Sequence, residues 1–207
     1  MMKLPKDFLK GSIPPLITPF RNGEVDYDAY AGLVEFQVKN GSHGILVNGT
    51  TSEPASLTVE ERNRIVDVAV EACAGKLPIV AATGSQNIIE TRALTEHAEK
   101  AGADALLIVT PYYTRPPQRG LVEYYKELGK QTSLPWMIYH IPGRAAVSVT
   151  LDTLIQISDA CPNFVGMKHA VDDLGFASTC LDHFGMDFRI FVGLEDLSYP
   201  MMAVGAG

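Results

Sequence analysis

The sequence predicts an α/β barrel, and three observations predict it. Seven short runs are apolar at almost every position, as strands are when both faces of a parallel sheet are covered. Marker residues at or next to their starts, Ile13, Ile45, Pro78, Ala105, Trp136, Phe164 and Arg189, fall 25 to 33 residues apart. That is the length of one βα unit, repeated without a break in composition. The first run leads into Thr18-Pro19-Phe20-Arg21-Asn22-Gly23, which lacks the glycine-rich loop that follows the first strand of a doubly wound nucleotide binder. The barrel is the remaining architecture for such a repeat.

Taken in order, the predicted strands are Ile13 to Pro19, Gly44 to Asn48, Pro78 to Ala82, Ala105 to Thr110, Trp136 to His140, Phe164 to Lys168 and Arg189 to Gly193. Helical patterns separate them. Thr58-Val59-Glu60-Glu61 reads as a capping box, in which the threonine accepts from the third helical amide and Glu61 reaches back. Ile65, Val66, Ala69, Val70 and Cys73 follow at the spacing of one buried helix face. Glu90, Leu94, His97, Ala98 and Ala101 repeat that spacing, with His97 on the helix surface and Gly102 as the C-cap. Residues 1–207 form a single domain on this reading. Gly207 falls inside the predicted helix after the seventh strand, and an eighth strand is expected past it. The barrel reads as truncated after its seventh strand, either as a fragment or with the missing stave supplied from elsewhere.

Composition excludes several functions. The chain has 207 residues, 46% hydrophobic, enough for one sizeable core. A formal net charge of −7 with no basic run argues against nucleic acid. The first residues lack the apolar stretch of a signal peptide. No window reaches the roughly 18 uninterrupted apolar residues of a membrane span. Cys73, Cys161 and Cys180 are odd in number and far apart, which predicts reduced thiols in a cytoplasmic protein. The five histidines are scattered, so no metal is expected.

Chemistry concentrates at the C-terminal ends of the predicted strands, the rim where a barrel carries its active site. Lys168 follows the apolar run Phe164-Val165-Gly166-Met167. Burial there disfavours its ammonium form and lowers its pKa, and a neutral amine attacks a carbonyl to form a Schiff base. The other ends supply Gly49-Thr50-Thr51-Ser52-Glu53, Thr110-Pro111-Tyr112-Tyr113, Tyr139-His140-Ile141-Pro142-Gly143-Arg144 and Gly193-Leu194-Glu195-Asp196. The paired threonines offer hydroxyls and amides to a carboxylate. A tyrosine can move protons between carbinolamine and imine. Arg144 can hold a second carboxylate with two parallel hydrogen bonds.

These motifs, together with Thr114-Arg115-Pro116 and Gly166-Met167-Lys168, resemble the signatures of the dihydrodipicolinate synthase / N-acetylneuraminate lyase family, from about Ser12 to the end of the chain. The resemblance implies a TIM barrel of the class I, Schiff-base aldolase type. It implies that Lys168 forms the imine with pyruvate and that Tyr139 relays protons above it. Thr51 would hydrogen-bond Tyr139, and Tyr113 would complete the relay from across a subunit interface at which Tyr112 packs. Thr50 and Thr51 would hold the pyruvate carboxylate, with Gly193 also in the substrate-binding set. Arg144 would bind the carboxylate of aspartate semialdehyde, the acceptor aldehyde of the lysine-biosynthetic synthases. The resemblance further implies a homo-oligomer, dimer or tetramer, and an eighth strand and C-terminal helices that are absent from this sequence. No cofactor is expected from the residues themselves, since the lysine does covalently what a metal does in other aldolases.

Departures from the family pattern gather around the acceptor. His140 stands where the synthases usually carry Asn, and His169 where they usually carry Glu. Ala145-Ala146 replaces Thr-Gly, and Ser52-Glu53-Pro54 replaces Gly-Glu-Ser. The imine centre is intact, whereas the acceptor is open. Dihydrodipicolinate synthase-type condensation is the expectation; another 2-oxo acid aldolase or dehydratase, or a truncated inactive relative that binds a ligand or partner, are the alternatives.

Overall fold

The computed structural model describes residues 1–207. After an extended N-terminal segment come a hairpin of β1 (Phe20–Arg21) and β2 (Glu24–Val25), then α1 (Tyr27–Lys39) and β3 (Ile45–Val47). α2 (Val59–Cys73), β4 (Ile79–Ala82), α3 (Ile88–Ala101), β5 (Ala105–Val109) and α4 (Gln118–Gly129) follow. The chain continues through β6 (Trp136–His140), the short α5 (Pro142–Ala145), α6 (Leu151–Ala160), β7 (Phe164–His169), α7 (Leu174–Phe184), β8 (Arg189–Val192) and α8 (Ser198–Ala203). β3 to β8 form one curled sheet, every pair parallel and in chain order. The capping box is present: Glu61 N–H donates to Thr58 Oγ1 at 3.1 Å, and Thr58 N–H donates to Glu61 Oε2 at 2.8 Å. Gly102 caps α3 in the left-handed region, at φ 99°.

Two expectations need correction. Residues 13–19 do not form a ladder strand. They lie beside β3 as an irregular stave with one bridge, Pro15 to Leu46; Leu16 N–H donates to the Leu46 carbonyl and Leu46 N–H to the Pro14 carbonyl, both at 3.1 Å. Pro14, Pro15 and Pro19 have no N–H to give a ladder. The β1–β2 hairpin next to it was not anticipated either. The second correction concerns the chain end. α8 finishes at Ala203, and Gly207 N–H donates to the Ile190 carbonyl at 3.2 Å. Gly207 therefore lies against the free edge of β8, not within a helix.

Side chains alternate between two cores. Leu46, Val80, Leu107 and Met137 face inward with Leu9, in the barrel interior. Ile45, Ile79, Leu106, Ile108 and Ile138 face outward, under the helices. The floor is closed by Arg189, 3% exposed, whose guanidinium donates to the carbonyls of Phe8 and Pro5 at 3.2 Å each. β7 carries a register shift opposite Trp136/Met137. Phe164 faces out and Val165 in, and then Met167 faces out. Strict alternation from Phe164 would point residue 168 outward. The extra bulge residue turns Lys168 inward, level with Tyr139 and Phe191.

Candidate active site

The rim is built from the strand ends upward. At the end of β3, Asn48 adopts a left-handed conformation (φ 57°) and starts a tight turn into a 3₁₀ segment, Thr50–Ser52. Ser52 is fully buried and pins this turn to the first stave: its Oγ donates to the Leu16 carbonyl at 2.6 Å, and Thr18 Oγ1 donates to the Ser52 carbonyl at 2.8 Å. So held, Thr50 Oγ1 donates to the phenol oxygen of Tyr139 at 3.3 Å. Sequence reasoning placed this bond on Thr51. Thr51 is exposed, and the turn directs its neighbour to the phenol instead.

Tyr139 is buried at 6% exposure, and Lys168 is half-buried with Nζ 4.7 Å from the Tyr139 ring centroid. Burial lowers the Lys168 pKa, opposed by the negative charge of Glu195. Burial raises the Tyr139 pKa; the Thr50 hydrogen bond and the Arg144 charge oppose that rise, and Glu195 adds to it. Each member of the pair lines its own cavity, and Leu107 lines both. One, of about 490 Å³, lies between the first stave and β8 and is lined by Lys168, Leu107, Met137, Phe191, Gly193 and Glu195. The other, of about 640 Å³, opens at the mouth and is lined by Thr50, Glu53, Tyr112, Tyr139, Arg144 and Ala145. Gly193 has no room for a side chain: a Cβ there would sit 2.5 Å from the Ala170 Cβ.

The predicted residues divide accordingly. Lys168, Tyr139, Thr50, Arg144 and Gly193 are brought together. Tyr113 is not: it is 90% exposed at φ 71° and lines neither cavity. Glu195 reached the correct strand end in the sequence but was given no role there; its charge acts on both Lys168 and Tyr139. The two histidines do not surround the acceptor pocket. Both are buried on the outer side of the sheet, against Phe176 of α7.

Fold and rim together define a class: a parallel α/β barrel that carries one inward lysine beside a hydroxyl-bonded phenol at its C-terminal strand ends. The chain belongs to the dihydrodipicolinate synthetase family, whose sequence model matches residues 8–207. It is 44% identical over 198 residues to the 4-hydroxy-tetrahydrodipicolinate synthase of Thermus thermophilus, covering 95% of this chain and 66% of that one. The Aquifex aeolicus 4-hydroxy-tetrahydrodipicolinate synthase is 42% identical over 197 residues. The crystal structure of dihydrodipicolinate synthase from Aquifex aeolicus superimposes with a TM-score of 0.93, covering 95% of this chain and 67% of that one. The chain thus spans about two thirds of the length of these relatives. No helix is long and apolar enough to cross a membrane.

Proposed function

We propose that the chain carries the lysine-imine centre of a pyruvate-dependent aldolase of the 4-hydroxy-tetrahydrodipicolinate synthase type. The observation that carries this reading is the stacking of Lys168 Nζ on Tyr139, with Thr50 hydrogen-bonded to the phenol. The neutral amine of Lys168 adds to C2 of pyruvate. Tyr139 returns a proton to the carbinolamine oxygen, which leaves as water, and the imine forms. Loss of a C3 proton gives the enamine, whose C3 adds to the aldehyde carbon of aspartate semialdehyde. The new alkoxide takes up a proton, and the semialdehyde's amino group then attacks C2, forming the ring imine and breaking the C2–Nζ bond so that the Lys168 amine is released. Arg144, at the mouth and within electrostatic reach of Tyr139, is suited to the acceptor's carboxylate. Tyr113 is exposed and lines neither cavity, which fits a role in completing the proton path of a second copy. Ala145 and Ala146 place no hydroxyl beside Arg144, an observation that favours a second reading, a different aldehyde or sugar-acid acceptor.

Borohydride reduction in the presence of pyruvate, followed by peptide mass analysis, tests the centre. Modification confined to Lys168 is expected; an unmodified Lys168 would reject it. A panel of aldehydes offered to the pyruvate-loaded chain then separates the two acceptor readings, with aspartate semialdehyde expected to be consumed fastest.

A further inference from the structure

His140 and His169 immediately follow the phenol and the amine on neighbouring strands, yet both lie on the opposite side of the sheet. All four ring nitrogens have partners. Val149 N–H donates to His140 Nε2 at 3.3 Å. The two Nδ1 atoms are 3.1 Å apart, and His169 Nε2 is 3.1 Å from the Asp173 carbonyl. A backbone N–H only donates and a carbonyl only accepts. The protons therefore have one arrangement: His140 holds its proton on Nδ1 and donates it to His169 Nδ1, while His169 holds its proton on Nε2 and donates it to Asp173. Burial holds both imidazoles below the ordinary histidine range, which favours this doubly neutral state.

The two ends of this relay lie in the loops that follow the two strands. Residues 141–149 carry Arg144. Residues 170–173 lead from the Lys168 strand to the cap of α7, where the Asp173 side chain accepts from Phe176 N–H at 2.9 Å. Phe176 covers both imidazoles, its ring centroid 5.7 Å from His140 and 5.6 Å from His169. Resting on the function proposed above, we infer that His140 and His169 are positioning residues for the acceptor step: the pair ties the Arg144 loop to the Lys168 strand. Neither ring touches a reacting atom. Their effect runs through the placement of Arg144 relative to the enamine, where a shift of about 1 Å is costly.

Glutamine presents one acceptor and one donor and does not titrate, so His140→Gln/His169→Gln preserves the relay, whereas His140→Leu and His169→Leu each cut it. Each leucine variant is expected to raise KM for aspartate semialdehyde about tenfold to a hundredfold, with the yield of borohydride-trapped pyruvate adduct unchanged. The double glutamine variant is expected to stay within about threefold of the unmodified chain, given the retained hydrogen bonds. Nitrogen NMR of the imidazoles supplies a readout that needs no turnover: one ring protonated on Nδ1 and the other on Nε2 at neutral pH. Leucine variants with an unchanged acceptor KM, or two rings sharing one tautomer, would overturn the inference and leave the lysine centre standing. Absence of any pyruvate adduct in the unmodified chain would instead overturn the function on which it rests.

Discussion

At the residue scale, three influences act on one nitrogen. Removal from water disfavours the Lys168 ammonium, while the Tyr139 ring face and the Glu195 carboxylate favour it. Desolvation is the largest, so the amine is neutral at a lower pH than an exposed lysine. The signs give a prediction. Glu195→Gln removes an anion that stabilises the ammonium, so the midpoint of pyruvate-imine formation against pH is expected to move down. A midpoint that stays put or rises would show that Glu195 does not act on the amine. The phenol gives another. On the proposed function, Tyr139→Phe removes the phenol that would carry the proton and is expected to lower kcat at least a hundredfold, at the low end of the range for general acid–base groups. Thr50→Val, which cuts the hydrogen bond at 3.3 Å, is expected to cost more in kcat than Thr51→Val. Steady-state kinetics on the three variants check that order.

At the scale of the element, β7 decides whether a site exists. Its bulge reverses the facing of Lys168, and Gly166 sits at that bulge beneath β8. A Cβ on residue 166 would lie 2.0 Å from the Arg189 carbonyl oxygen, a backbone atom fixed in the sheet. Gly166→Ala must therefore push β7 and β8 apart or slip their register. The expected loss is about 3 kcal/mol, the upper end for overpacking a tight site, measured as a lower denaturant midpoint. The same variant should lose the trapped pyruvate adduct, because a one-residue slip turns Lys168 out of the barrel. The first stave shows the opposite economy of structure. Its prolines weaken the ladder, yet Leu16 and Thr18 still locate the Thr50 turn through Ser52.

For the molecule as a whole, the sheet runs from the first stave through β3 to β8, and the cavity below Lys168 lies between those two edges. Its tolerance of acid is set in part by the outer face. Burial, reinforced by His169, pushes the His140 pKa down to about 4 from an ordinary 6.5. In the unfolded chain the same imidazole takes its proton near 6.5. Between these values the unfolded state binds more protons, so stability falls as pH drops from about 6.5 to about 4 and levels off below. His140 is 4% exposed, and the contribution is of the order of 3 kcal/mol. Denaturant unfolding at pH 7, 5 and 4 should show this loss, and His140→Gln/His169→Gln should flatten it. An equal slope in both proteins would place the acid sensitivity elsewhere.

The repeat of apolar runs was enough to determine a parallel α/β barrel, six of its strands to within a residue, the capping box on α2 and the cap at Gly102. These depend on local spacing and local hydrogen bonds, which a linear sequence records. The family motifs likewise located Lys168, Tyr139 and Arg144 at one rim. Tertiary structure alone decided which way each side chain points there. The facing of Lys168 depends on a bulge set by pairing with β6, and the choice of Thr50 over Thr51 depends on how Ser52 is anchored to a stave 36 residues earlier. The histidines were legible as neighbours of the site, but their union behind the sheet was not. Orientation is fixed by contacts between residues distant in the chain, and spacing along the chain carries no record of them.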